Sequence, residues 1–455
     1  MSTTLSRLYG SDRPADEQRR AFRDGAVPVA VYGLGKMGLP LAAVFADRSG
    51  NVTGVDIDSA VVNAINDGRS PVEDEPGLDT AVETAVETES LRATTDGVDA
   101  AESAALHVVI VPTLLDDTDT PDLSAVESVV DDVAAGLAPG DAVFLESTLP
   151  PRTCVDVLLP RLVEKSGLAP DEFALAFCPE RTASGRALED ITGSYPKIVG
   201  GVDEESTRVA KLVYGELTSN EVIPVSDPTT AECVKLFEGL YRDVNIALAN
   251  ELGRLADELA IDVREAIEAA NTQPYCEIHD PGAGVGGHCI PYYPHFVIDT
   301  VETSTPLLET ARQVNERMEE FTVHKTVEQL VDAGTEIGDA SVAVLGVTYR
   351  PGIDETRASP AWTITAALSA AGADVYTVDP VCSDLAAFPG RPATLSDLPA
   401  IDPDALVLVT AHDAFDDVPW DRLADPVVVD GRDALTDPAT AGEVYTIGSG
   451  PATSD

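Results

Sequence analysis

Four short stretches bring together residue types that can do chemistry. The first, Gly33-Leu34-Gly35-Lys36-Met37-Gly38, follows an apolar run and opens a helical pattern. In such a turn the first glycine permits the tight bend, the second lets backbone approach a pyrophosphate, and the third lets helix and strand pack closely. The helix start adds N–H groups and the positive end of a dipole. Asp56 closes the next apolar run, placed to accept hydrogen bonds from an adenosine ribose and to repel a 2′-phosphate. The combination predicts an NAD site built from Gly33, Gly35, Lys36, Met37, Gly38 and Asp56. The bland alternative is a glycine-rich turn with no ligand.

The second stretch is Pro281-Gly282-Ala283-Gly284-Val285-Gly286-Gly287-His288-Cys289. Its glycines give a backbone that can lie against a ligand. Its terminal thiol can attack a carbonyl carbon once ionised. The alternative is a flexible loop ending in a buried cysteine. The third is Lys235, Glu238, Arg242 and Asn245, three or four residues apart and so on one helix face. The flanking Leu236, Phe237, Leu240, Val244, Ile246, Ala247 and Leu248 imply a buried helix, whose polar stripe must face something polar. On a surface helix the same stripe is only a solvated face. Gly239 within it costs about 1 kcal/mol relative to Ala and marks a place where another group approaches closely. The fourth is Cys178-Pro179-Glu180-Arg181, with Glu146-Ser147-Thr148 in a similar position. Each follows a strand-length apolar run, and open α/β sheets face their ligands at such strand ends. A carboxylate there is a general base or a loop cap.

These residues need a scaffold, and the apolar periodicity supplies one. Strand-length runs at 29–32, 51–55, 106–111, 142–145, 173–177 and 197–199 alternate with helical stretches, which predicts a parallel sheet covered on both faces. From Thr229 to Leu259 a single long helix is expected, and helix resumes from Pro306 to Ala333. Alternation restarts with strands at 342–345, 374–378, 405–409 and 427–429. The expected fold is α/β, with two Rossmann-type doubly wound domains joined by a central long-helix segment. Boundaries are placed at 1–26 for a polar N-terminal extension, 27–226 for the nucleotide domain, 227–334 for the helical middle and 335–455 for the second α/β domain.

Composition narrows the function classes. The chain has 455 residues and a formal net charge of −50, with 79 acidic against 29 basic side chains, only six of them Lys. Such a surface repels nucleic acid and anionic membranes, so neither is expected as a partner. The carboxylates are spread along an ordered-looking chain, which points to a salty cytoplasm where self-repulsion is screened. No stretch approaches the roughly 18 apolar residues of a membrane span, and the polar N-terminus lacks a signal-peptide core. A cytoplasmic protein is expected. The six cysteines, 154, 178, 233, 276, 289 and 382, include no pair at metal-ligand spacing, and no metal is expected.

Taken together, GLGKMGLP (33–40), ESTLPPRT (146–153), CPER (178–181), KIVGG (197–201), AECVKLFEGLYRDVNIALANEL (231–252), PGAGVGGHCI (281–290) and TYRPGIDETRASPA (348–361) resemble the UDP-glucose/GDP-mannose dehydrogenase family, in family order. The resemblance implies a four-electron oxidation of the C6 alcohol of a UDP-sugar, two NAD+ being reduced. It implies Cys289 as the covalent nucleophile, Lys235 as the oxyanion stabiliser, Glu180 as the residue that orders or activates water, and Thr148 beside water and nicotinamide. Substrate contacts are assigned to Arg181, Arg242, Asn245, Gly286, Gly287, Arg350 and Arg432, the last two gripping UDP. A homodimer through the central helix is implied, with further assembly left open. Within the family, the Pro-Glu-Arg, Tyr-Arg-Asp-Val-Asn-Ile-Ala and Gly-Gly-His-Cys sequences look more like the UDP-N-acetyl-D-mannosamine branch than the UDP-glucose branch. The sequence departs from the family pattern where Gly239 stands in place of the usual Asn four residues after the lysine, where Tyr293 stands in place of the usual Asp four residues after the cysteine, and before the glycine loop, where Gln273 and Tyr275 lie and no basic residue is evident. Either Asn245, Arg242, Glu180, Tyr293 or His288 substitutes, or the chemistry is altered. The rival readings are a two-electron hydroxyacid-type dehydrogenase and a non-catalytic nucleotide-sugar-binding protein.

Overall fold

The computed structural model describes residues 6–116, 118–435 and 444–450. The outermost parts of the expected N-terminal extension and of the second α/β domain, 1–5 and 451–455, lie outside these. The chain forms two compact units. One runs to residue 237 and takes in 295–300; the other holds 238–294 and everything from 301 on.

In the first unit, strands order as Val222–Pro224, Lys197–Gly201, Ala174–Phe177, Ala142–Leu145, Leu106–Val109, Val29–Tyr32, Val52–Val55 and Leu91–Thr94. Strand alternation fills both faces: Val29 and Val31 join one buried cluster, Ala30 and Tyr32 the other. A strand buried on both faces reads as a continuous apolar run, which is why the central strands were visible in the sequence. One expectation fails. The strand Lys197–Gly201 runs antiparallel to Ala174–Phe177, not parallel. The 178–196 connection returns on the same side instead of crossing over, and an antiparallel strand near a sheet edge is a common solution. The N-terminal segment is polar in sequence yet docked: Leu8, Phe22 and Val27 are buried, and Tyr9 donates to Asp203 at 2.7 Å.

The second unit contains an all-parallel sheet ordered Arg391–Ala393, Asp374–Val378, Ser341–Leu345, Ala405–Leu408, Val427–Asp430 and Val444–Thr446. The helix Pro306–Asp332 belongs to this core, since Met318 and Leu330 cluster with Val342, Val344 and Ala361. The helix Pro228–Arg254 continues from one unit into the other. The expected single helix to residue 259 ends at Arg254, followed by a short helix Ala256–Leu259.

Candidate functional site

The first unit presents the dinucleotide turn. Gly33 has φ +95°, and a Cβ there would stand 2.5 Å from the carbonyl oxygen of Ile110. A Cβ on Gly38 would stand 1.9 Å from Gly33 O, so the third glycine is needed for helix and turn to touch. Gly35 differs, because its Cβ would meet no protein atom within 4 Å. The helix Gly38–Ser49 begins with no side-chain cap and no acidic residue in its first turn. Approachable backbone beside an uncapped helix start fits a pyrophosphate. Asp56 is half-exposed and accepts from the N–H groups of Leu34 (2.8 Å) and Asp58 (2.9 Å), which fix its carboxylate at the strand end. Each oxygen keeps lone-pair capacity for a ribose. Lys36 is exposed, and Met37 Sδ accepts from Thr182 Oγ1 at 3.1 Å, tying the turn to the loop after Glu180.

Around Glu180 the same unit builds a buried polar cluster. Lys235 Nζ lies 3.7 Å from Glu180 Oε2, both side chains about nine-tenths buried. Glu180 accepts from Thr182 N, and its own N–H lies near Glu146 O. Glu146 is fully buried, receives Lys197 Nζ at 2.6 Å and accepts from the Tyr214 hydroxyl. Burial pushes its pKa up, against the pull of Lys197. Ser147 clips Val111 through both N–H and carbonyl, and Thr148 O accepts from Thr113. Arg181 stacks over Tyr195 and donates to Pro196 O, so its guanidinium is engaged with the 195–196 segment. The loop is also held by Glu75, which accepts from Gly185 and Leu188 N–H. Glu75, Lys197 and Tyr214 were missed in the sequence; their partners lie 51 to 113 residues away, and no local pattern points to them.

The second unit holds the thiol loop. On the side where a Cβ would stand, its glycines meet protein. A Cβ on Gly286 would lie 2.7 Å from Ala358 O, one on Gly287 2.9 Å from the Tyr349 ring, and one on Gly282 2.4 Å from Arg432 Nη1. The glycines are there because the loop is pressed onto the C-terminal sheet's connections. Arg432 donates through Nε to Val409 O and through Nη2 to Gly284 O, which braces the loop. Arg350 is exposed. On the other side, Asp243 is buried and takes hydrogen bonds from Arg312 (2.7 Å) and Asn315 (2.8 Å). Asn315 meets Asn250, whose amide oxygen accepts from Gly282 N, and Arg312 reaches Ile290 O. This network grips the loop at both ends. Its members are polar residues seven apart on one apolar helix and three apart on another, a signal that was available and not used.

At the loop's end Cys289 is exposed, and its sulfur accepts a hydrogen bond from the Tyr293 hydroxyl at 3.1 Å. The alternative of a buried loop-end cysteine is thereby overturned. The polar stripe on the long helix is not one environment. Lys235 is buried, while Glu238 and Arg242 are exposed. The Asn245 amide is taken up by Glu277 O and His279 N, which makes it a clip for the chain leading into the loop. Nor is the helix buried all round: Phe237, Tyr241 and Leu248 are exposed in the single chain. Among the described residues no group of three or more His, Cys, Asp or Glu could hold a metal, and no helix is long and apolar enough to cross a membrane.

Comparison with known proteins agrees with this arrangement. Residues 27–218 match the NAD binding domain of the UDP-glucose/GDP-mannose dehydrogenase family, 229–317 its central domain and 343–437 its UDP binding domain. A UDP-N-acetyl-D-mannosamine dehydrogenase of Pyrococcus horikoshii is 35% identical over 93% of this chain and 99% of its own. An NDP-N-acetyl-D-galactosaminuronic acid dehydrogenase of Ralstonia nicotianae is 35% identical over 89% and 95%. A solved structure of the P. horikoshii UDP-D-ManNAc dehydrogenase aligns with a TM-score of 0.86 at 34% identity, covering 93% of this chain and 99% of that one. The strand–turn–helix that cradles NAD, the UDP binding domain and the braced thiol loop therefore have one explanation: the chain belongs to the UDP-glucose/GDP-mannose dehydrogenase family of NAD-dependent nucleotide-sugar 6-dehydrogenases.

Proposed function

We propose that the chain oxidises UDP-N-acetyl-D-mannosamine to UDP-N-acetyl-D-mannosaminuronate, with Cys289 as covalent nucleophile. The observation that carries the four-electron reading is Cys289 itself, an exposed thiol at the end of a loop braced from both sides. A two-electron alcohol oxidation has no use for it. NAD, when bound, supplies the hydride acceptor, twice per acid formed. The residues supply the rest. Lys235 places positive charge near the oxygen on which negative charge develops. The Cys289 thiolate adds to the aldehyde carbon, and the resulting thiohemiacetal can be oxidised to a thioester. Glu180, held beside Lys235, orders or activates the water that releases the acid, and Thr148 supports it. Arg350 and the remaining N–H groups of Arg432 hold the UDP diphosphate, for which a planar guanidinium fork is well suited. Arg181, Arg242, Asn245, Gly286 and Gly287 act on the sugar through the loops they shape. In this reading 27–226 binds NAD, 227–334 carries the lysine and the thiol, and 335–455 binds UDP.

The choice of sugar follows the relatives, two of which are named for N-acetylhexosamine derivatives; UDP-glucose is the second candidate. The test is a panel of UDP-sugars with NAD+ in high salt, following NADH and acid. UDP-N-acetyl-D-mannosamine should give the highest kcat/KM and close to two NADH per sugar; a ratio near one would overturn the four-electron reading. Cys289→Ser should abolish acid formation and leave NAD affinity within about twofold. Full activity in that variant would sink covalent catalysis.

The exposed Phe237, Tyr241 and Leu248 lie along one helix, and this apolar stripe supports the reading of a homodimer through this helix. Sedimentation in high salt should give twice the chain mass; a monomer would refute it. A reducing cytoplasm supplies both NAD and the free thiol the reaction needs. The net charge of −50 assigns that cytoplasm a high salt content, and the protein should lose structure as salt is removed.

A further inference from the structure

Gly239, inside the long helix, and Tyr293, four residues after the thiol, meet in the fold. A Cβ on Gly239 would stand 2.3 Å from Tyr293 Cδ2, 3.1 Å from Cγ and 3.2 Å from Tyr293 Cβ. The ring lies on the bare backbone of the helix and is 8% exposed. No side chain larger than hydrogen at 239 admits it. A glycine inside a 27-residue helix is destabilising by itself, and the ring packed on it is the reason for its presence. From this seat the Tyr293 hydroxyl donates to Cys289 Sγ at 3.1 Å, and the Tyr293 N–H donates to Cys289 O at 2.9 Å.

We infer that Tyr293, seated on Gly239, is a catalytic residue whose hydroxyl stabilises the sulfur of Cys289. The inference rests on Cys289 being the nucleophile. A phenol hydroxyl donates, and a donor beside a thiolate stabilises its charge. The thiol loses its proton to water, Cys289 being exposed. The sulfur lone pair then forms the S–C bond to the aldehyde carbon as the C=O π pair moves to oxygen. The adduct's carbon gives up its hydride to NAD+ as the oxygen pair reforms C=O, leaving a thioester; when water attacks it, the S–C bond breaks and its pair returns to sulfur, where the Tyr293 O–H meets it. The phenol keeps its proton throughout. Other groups facing the thiol do not duplicate this. The Tyr349 hydroxyl is engaged with Glu355, and burial and that carboxylate push its pKa up to about 12. His288 is paired with the same Glu355 at 3.3 Å, and Arg350, next to Tyr349, carries a fixed charge.

The test reads the sulfur directly. Iodoacetamide alkylation of Cys289 in the intact protein, followed by peptide mass mapping across pH, reports its thiolate fraction. Tyr293→Phe keeps the ring on Gly239 and removes only the hydroxyl. It should slow alkylation at neutral pH about tenfold and lower kcat about tenfold, with the KM for NAD unchanged. Gly239→Ala should give the same loss by displacing the ring, and the double variant should be no worse than either single. A Tyr293→Phe enzyme with wild-type alkylation profile and kcat overturns the inference even where the Gly239 variants fail to fold. The two readings separate cleanly. If Cys289→Ser retains acid formation, the nucleophile reading fails while the alkylation result still judges the Tyr293 contact.

Discussion

The two sheets use one device at equivalent places and put it to different ends. In the first, Gly33 follows the strand Val29–Tyr32, its N–H donates to Val55 O at 2.8 Å, and Asp56 accepts from the next N–H, that of Leu34, at 2.8 Å. In the second, Gly346 follows Ser341–Leu345, its N–H donates to Val378 O at 2.8 Å, and Asp379 accepts from Val347 N at 2.8 Å. The difference lies in what remains unsatisfied. Asp56 takes one further backbone N–H and stays half-exposed. Asp379 is buried under Thr348, His412, Val381 and Cys382, which use its lone pairs. After Gly33 come two more glycines and a helix; after Gly346 come Val347, Thr348 and a loop running to the helix Pro360–Ala370. The strand–glycine–aspartate unit is therefore a property of the fold. Dinucleotide binding is a property of the acceptors and backbone that the unit leaves open.

The strongest way to break this comparison is to remove the glycines that both halves share. A Cβ on Gly346 would stand 2.1 Å from Thr410 O, and one on Gly33 2.5 Å from Ile110 O, both at positive φ. Backbone on both sides of each contact cannot yield cheaply, so Gly33→Ala and Gly346→Ala should each cost more than about 3 kcal/mol. Thermal unfolding should show a large fall for both. Only Gly33→Ala should also abolish NAD binding in the protein that remains folded. Equal loss of NAD affinity in the two variants would refute the division of labour.

The next test separates the aspartates. Burial alone would raise the pKa of Asp379, but His412 and the N–H groups of Thr348 and Val381 outweigh it and hold the carboxyl well below its usual range. A depressed pKa in the folded state means the unfolded chain takes up the proton first as pH falls. The stabilisation is thus full above about pH 4, the unfolded value, and is lost below it. Asp379→Asn should cost about 3 kcal/mol near neutral pH and flatten the acid limb of the stability curve, leaving the KM for NAD alone. Asp56→Asn should leave stability within about 0.5 kcal/mol, since a half-exposed surface position is involved. It should raise the KM for NAD about tenfold and narrow the preference for NAD over NADP.

The contrast also marks what the sequence could reveal. Gly33, Gly35, Gly38 and Asp56 were legible because a strand, a turn and a strand end are fixed by neighbours a few residues away. The central strands were legible because burial on both faces leaves an unbroken apolar run. The thiol at Cys289 stands out in the sequence as a candidate nucleophile, but what the glycines before it press against does not. Composition shows that backbone must come close to something, and only the fold shows that the something is Tyr349, Ala358 and Arg432. The docked N-terminal segment, the antiparallel strand at 197–201 and the Glu146–Lys197–Tyr214 cluster depend on pairings across long stretches of chain, which leave no local period. Lys235 and Glu238 share a helix face, yet only Lys235 is buried, which the spacing on the helix alone does not reveal.

The subtlest prediction concerns Gly35, the one glycine of the turn whose added Cβ would touch no protein atom within 4 Å. Its backbone is not held at positive φ, so alanine is conformationally acceptable. Reducing the freedom of the unfolded chain should make Gly35→Ala neutral or more stable by up to about 1 kcal/mol. The same methyl group should stand where the pyrophosphate lies against the turn, and NAD affinity should fall about tenfold with no loss of Tm. The pair of readouts discriminates where either alone does not. A fall in both would mean that Gly35 serves the fold, as Gly33 and Gly346 do. No change in either would mean that the dinucleotide passes elsewhere. A fall in affinity alone keeps the distinction between a glycine required by the chain and a glycine required by its ligand.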